Sequence, residues 1–123
     1  MERAAEYEQR RAELQERMLA HADLPMKRFL ALDHDVYGDG ALRGVDKELM
    51  GLVASTVLRC NDCISYHLIE ATRRGATASQ ILEALDIALV VGGSITIPHI
   101  RHALAFLDTI EPEDGRGERR EEE

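Results

Sequence analysis

Apolar residues recur along this chain at steps of three and four and nowhere alternate as a half-buried strand requires, so every ordered segment is predicted to be helical. Pro25, the run Gly38-Asp39-Gly40, Gly75 and the pair Gly92-Gly93 divide the pattern, because proline lacks an amide donor and glycine relaxes the backbone. The predicted fold is all-α: a compact single-domain bundle of about six helices. A chain of 123 residues buries roughly two-thirds of its unfolded surface, enough for one modest core.

Residues 1–24 form a charge-rich docking helix, with Ala4, Tyr7, Leu14 and Met18 on one narrow stripe. Arg11 interrupts that stripe, which predicts packing along part of its length with the arginine stem lying flat. Pro25 opens a short helix through Phe29, Leu30 and Val36. Residues 25–110 form the helical domain, with the core from Asp46 onward. Asp46 is the expected N-cap of a helix on which Leu49, Met50, Leu52, Val53, Val57 and Leu58 cover most of the circumference, implying burial on nearly all sides. A helix from about Asn61 to Arg74 aligns Cys63, Ile64, His67, Leu68 and Ala71, and Gly75 ends it. Thr77 caps a helix striped by Ile81, Leu82, Leu85 and Leu89. The last helix, near whose start Pro98 is tolerated, carries Ile97, Ile100, Leu104 and Leu107 and reaches about Ile110. Residues 111–123 hold seven acids, three arginines and no large apolar side chain, and are expected to be a disordered acidic tail.

A net charge of -8 repels a phosphate backbone and an anionic lipid surface, so neither nucleic acid nor membrane is an expected partner. The charged N-terminal stretch is unlike a secretory leader, and no apolar run reaches the ~18 residues of a membrane span. A cytoplasmic location is expected. The helices around Glu48 and Ile81 are more apolar than so small a chain can hide alone, which predicts a homo-oligomer.

The only two cysteines are Cys60 and Cys63, and His67 follows Cys63 by one helical turn. The two-residue gap brings both sulfurs together at a helix start, where unpaired amides and the helix dipole favour a thiolate. Cys63 is then the nucleophile, His67 its proton acceptor or cationic partner, and Cys60 the resolving thiol that closes a disulfide on a Cys63 sulfenic acid. No cofactor is required. Two alternatives stay open: a zinc site of both thiolates and His67, completed by His99, His102 or Glu48, and a pair of buried, unreactive cysteines.

Glu48 interrupts an apolar helix, which suits either a carboxylate that orients His67 or a first-turn residue beside Asp46 that stabilises its own helix. Twelve residues of continuous helix separate Glu48 from Cys60 by ~18 Å. Contact with His67 therefore requires a steep crossing, a break before Cys60, or donation from a neighbouring subunit. His99 and His102 read as interface or core-edge residues, His21 and His34 belong to no constellation, and Arg73 and Arg74 read as a solvated pair.

From about residue 25 to 109 the chain resembles the carboxymuconolactone decarboxylase family, in its branch related to alkyl hydroperoxide reductase component D. The resemblance is carried by Asp39-Gly40-Ala41-Leu42, Lys47-Glu48-Leu49, the Cys60/Cys63/His67 motif, Gly75-Ala76, Glu83-Ala84 and Gly92-Gly93. It implies an all-helical trimer or hexamer and, for cysteine-bearing members, a thiol-dependent peroxidase or disulfide oxidoreductase. Carried over residue by residue, Cys63 is oxidised, Cys60 resolves it, and Glu48 with His67 forms a proton relay. A hydroperoxide or disulfide is the implied substrate, and a dithiol such as a lipoylated protein the implied electron donor. The rival enzyme is a lactone decarboxylase using Glu48 and His67 as acid and base with incidental thiols; the rival of another class is a non-catalytic, metal-stabilised oligomeric binding module. Asp62 stands where hydroperoxidase relatives often have a histidine, and a carboxylate beside Cys63 raises a thiol pKa, which predicts a slower peroxidase.

Overall fold

A computed structural model of the chain describes residues 1–111; the acidic tail expected beyond Ile110 lies, from residue 112 onward, outside the described residues. Six α-helices follow one another: α1 (Ala4–His21), α2 (Leu24–Val36), α3 (Gly44–Val57), α4 (Asn61–Arg73), α5 (Ala78–Gly92) and α6 (Ile97–Leu107), with one 3-10 turn at Ser94–Thr96. No strand occurs among the described residues, as the apolar spacing requires.

Local chemistry explains the boundaries. Asp23 accepts the Met26 amide at 3.1 Å and Pro25 sits in the first turn of α2. Thr77 and Gln80 cap α5 reciprocally, side chain to backbone in both directions. Gly75 ends the α4 segment at φ 103°, a backbone state that costs other residues strain. Asp46 is not the N-cap of α3. The helix begins two residues earlier because Asp39 reaches across the preceding turn and accepts the Gly44 amide at 2.6 Å, while Asp46 pairs with Arg43 inside the first turn.

The core is built around α4, whose Ile64, Leu68 and Ala71 are fully enclosed. Leu52 of α3, Ile81 and Leu85 of α5, and Ala103 and Phe106 of α6 close round it. Each enclosed Leu, Ile or Phe contributes roughly 1.5–3 kcal/mol relative to exposure. α1 enters the core only through Ala4 and Tyr7, the Tyr7 ring standing edge-on to Phe106 at 5.6 Å, and beyond them its Leu14 and Met18 are exposed.

The expected burial of α3 on nearly all sides is not found within one chain. Met50 and Leu58 are exposed, and with Val57, Ile87 and Val91 they edge an apolar groove between α3 and α5. Leu82, Leu89 and Leu104 are exposed too, and α2 buries no residue at all. Four central helices suffice to seal a core of this size, so the remaining apolar faces are left outward.

All three tyrosines are held protonated by burial, Tyr7 pushed up to about 12 from 10.0 and Tyr37 and Tyr66 raised in the same direction. The unfolded chain releases these protons first, so stability is fully present below pH 10 and falls as pH rises towards 12. Thermal melts across that range should show a declining Tm, with phenolate absorbance of the folded protein lagging behind that of the urea-unfolded chain; coincident titrations would refute the assignment.

Candidate functional site

Cys60 is the N-cap of α4 and Cys63 lies in its first turn; the two are joined as a disulfide with Cα atoms 5.3 Å apart. The Cys63 amide also faces the Cys60 sulfur at 3.3 Å. Cys60 is half-buried, whereas Cys63 is exposed and lines a cleft of about 390 Å³ together with His67. The difference follows from position. A cap residue turns in against the preceding loop, and a residue three further on projects from the helix end.

His67, one turn deeper, is buried, and its Nδ1 lies 2.8 Å from Oε1 of the fully buried Glu48. A carboxylate has no proton to give, so Nδ1–H donates and Nε2 is left as the basic nitrogen. The contact forms within one chain through a break before Cys60. α3 stops at Val57, Arg59 adopts a left-handed turn at φ 62°, and α4 returns antiparallel. Glu48 then lies roughly 13 Å from the end of α3 and His67 roughly 9 Å from the start of α4, close enough for their side chains to bridge the difference. Glu48 is thereby committed to His67 rather than to its own helix start.

The other carboxylate oxygen forms an ion pair with Arg74 at 3.5 Å, and Arg74 donates a hydrogen bond to the Tyr37 carbonyl at 2.6 Å. The expected solvated arginine pair is thus divided: Arg73 pairs on the surface with Glu8 and Glu70, while Arg74 reaches the buried carboxylate. Arg74, Tyr37 and Gly51 were not legible as site residues. Two glycines make room for the cluster, since a Cβ on Gly44 would collide with the Arg74 guanidinium and one on Gly51 would meet the His67 ring at 2.6 Å. The available signal was Gly51 itself, a glycine inside a helix, three residues after Glu48 on the same face.

Asp62 does not stand unopposed beside Cys63. Arg10 of α1 pairs with it at 3.1 Å while bonding Glu2 at 2.9 Å, and the Tyr7 hydroxyl donates to the Asp62 carbonyl. The Asp62 charge next to Cys63 is thus paired with a guanidinium. Arg11 places its guanidinium over the Tyr66 ring, 4.5 Å from the centroid. The histidines held in reserve as metal ligands are engaged elsewhere, His99 with Asn61 at 2.8 Å and His102 with Ser65 at 3.0 Å. Burial lowers the His102 pKa, and its ring stacks on Phe106 at the edge of the core. Among the described residues no three His, Cys, Asp or Glu side chains converge as a metal-ligand set.

Residues 23–108, seven-tenths of the chain, match the carboxymuconolactone decarboxylase family. The chain belongs to that family. It is 40% identical over 83 residues to "uncharacterized protein 4 in cox locus" of Paracoccus denitrificans, a match covering 68% of this chain and 75% of that one. Similarity to an alkyl hydroperoxide reductase AhpD of Corynebacterium kroppenstedtii is 34% over 64 residues, or 52% of this chain but only 37% of the longer relative. In structure the chain resembles a carboxymuconolactone decarboxylase family protein of Thermotoga maritima described as possibly involved in antioxidative response. That likeness has a TM-score of 0.82 and 53% identity over 91% of this chain and 95% of that chain. A Legionella pneumophila member at 23% identity and TM-score 0.78 shares the fold.

Replacing Gly51 by alanine tests the crowding at His67. A helix interior ordinarily gains about 1 kcal/mol from this exchange, whereas overpacking costs about 1–3 kcal/mol. Calorimetry should therefore show a Tm lowered by several degrees, and a raised Tm would mean that the ring is not seated against the glycine.

Proposed function

We propose that this family member is a thiol-dependent peroxidase or disulfide oxidoreductase that cycles Cys60 and Cys63 between dithiol and disulfide in a reducing compartment such as the cytoplasm. The observation that carries the reading is an exposed Cys63, disulfide-linked to Cys60 at a helix start, in one cleft with a histidine backed by a buried glutamate. In the reduced protein His67 Nε2 takes the Cys63 proton, and Glu48 stabilises the imidazolium through Nδ1. The thiolate attacks the terminal oxygen of a hydroperoxide: an S–O bond forms, the O–O bond breaks, and the leaving alkoxide takes a proton to become the alcohol. Cys63 is then a sulfenic acid. The Cys60 thiol attacks its sulfur, closing the disulfide and releasing water. A dithiol donor, such as a lipoyl group on a protein, restores both thiols by two exchanges and becomes a disulfide itself.

Arg74 supports the relay by holding Glu48 from the side opposite His67, and Arg10 offsets the charge of Asp62. A lactone decarboxylase would use the same Glu48–His67 pair but leaves the disulfide without a role. In a Cys60→Ser variant one equivalent of hydroperoxide should leave a sulfenic acid on Cys63 that dimedone traps, and Cys63→Ser should trap none; the reverse pattern would exchange the two roles, and no trapping in either would sink the peroxidase.

The working form we propose is a homo-oligomer, a trimer or hexamer. Support comes from the outward apolar residues of α2 (Phe29 67%, Leu32 60%), the C-cap of α3 (Leu58 77%) and α5 (Val90 83%), far more than a monomer commonly exposes. Light scattering at micromolar concentration should report three or six chains, with Val90→Glu shifting the population to smaller species; a monomeric wild type would refute the assembly.

A further inference from the structure

The family match begins at residue 23, so α1 lies before it, yet α1 supplies a whole wall of the cleft over Cys63 through Tyr7, Arg10, Arg11, Leu14 and Met18. The charged groups that line the cleft are Arg10, Arg11, Asp33, Asp62 and His67. Three of them are committed, Arg10 with Asp62 and His67 with Glu48. Arg11 and Asp33 remain, on α1 and α2 respectively. The Arg11 guanidinium sits over the Tyr66 ring, its central carbon 4.5 Å from the centroid, a cation–π contact that holds the group in place, and among the described residues no carboxylate forms an ion pair with it. A planar fork of donors held in this way is preorganised for a carboxylate. Leu14 and Met18 follow at one-turn steps along the same wall, exposed and apolar.

We infer that α1 makes the cleft a seat for an anionic amphiphile, an alkyl-chain hydroperoxide whose carboxylate bonds Arg11 and whose chain lies along Leu14 and Met18. The identity of the reacting group rests on the peroxidase reading; the seat for the carboxylate does not. Asp33 confines the anion to the α1 side, since a carboxylate placed near α2 would meet like charge.

The seat is tested on the full-length protein by titrating octanoate and, separately, octanol at neutral pH and following amide chemical shifts around the cleft. Wild type should bind octanoate about tenfold more tightly than octanol, the size expected of one charge-assisted hydrogen-bonded pair. Arg11→Gln should abolish that preference while leaving octanol affinity unchanged, and Arg11 is exposed, so the fold should survive the change. Asp33→Asn should strengthen octanoate binding several-fold. Equal affinities in the wild type, an unchanged preference in Arg11→Gln, or weaker octanoate binding in Asp33→Asn would overturn the inference. Octanoate contains no peroxide, so this result stands apart from dimedone trapping: a preference without trapping removes the peroxidase and keeps the seat, and trapping without a preference does the reverse.

Discussion

Enclosing the Glu48 carboxylate at 1% exposure is the constraint on which the rest of the site depends. An unpartnered buried carboxylate costs several kcal/mol, so the fold must bring donors to both of its oxygens. They come from different places. His67 arrives from the middle of α4 and Arg74 from its C-terminal end, and Arg74 is itself held by the Tyr37 carbonyl just beyond α2. One side chain thus sets the register of α3 against α4 and ties down the loop that leads into α3. Gly44 and Gly51 lie on α3 where any larger residue would push these donors away.

The N-terminal helix is attached by a different kind of force. Only Ala4 and Tyr7 enter the core, and the rest of α1 is held by polar contacts to α4: Arg10 to Asp62, Glu8 to Arg73, and Arg11 over Tyr66. Exposed ion pairs are worth little singly, about 0–1 kcal/mol. Their value here is placement. They align α1 beside the start of α4 so that its side chains wall the cleft in which Cys63 is exposed, and they place a guanidinium next to Asp62, the carboxylate adjoining Cys63 in the chain.

Much of the site was legible because it is local or spaced by helical turns. Cys60, Cys63 and His67 share the opening turns of one helix, and the helices are delimited by Pro25, Gly75 and the Gly92-Gly93 pair, whose backbone effects act on their immediate neighbours. Asp46 shows where local reading fails: α3 starts ahead of it, and the Gly44 amide at that start is met by Asp39 across a turn. The apolar faces of α2 and α5 show another limit. Periodicity says which residues avoid water but not whether the same chain or another one covers them.

The sequence by itself determined the helical class, the positions of the breaks, the paired thiols and the presence of one costly carboxylate in an apolar helix. The tertiary structure alone decided what that carboxylate meets and which arginine is structural. Arg73 and Arg74 are adjacent and chemically alike, but on a helix consecutive residues point about 100° apart, and packing turns one to the surface and the other to Glu48. Likewise nothing near Asp62 in the chain foretells Arg10, 52 residues away, because a pairing between distant helices depends on how they dock.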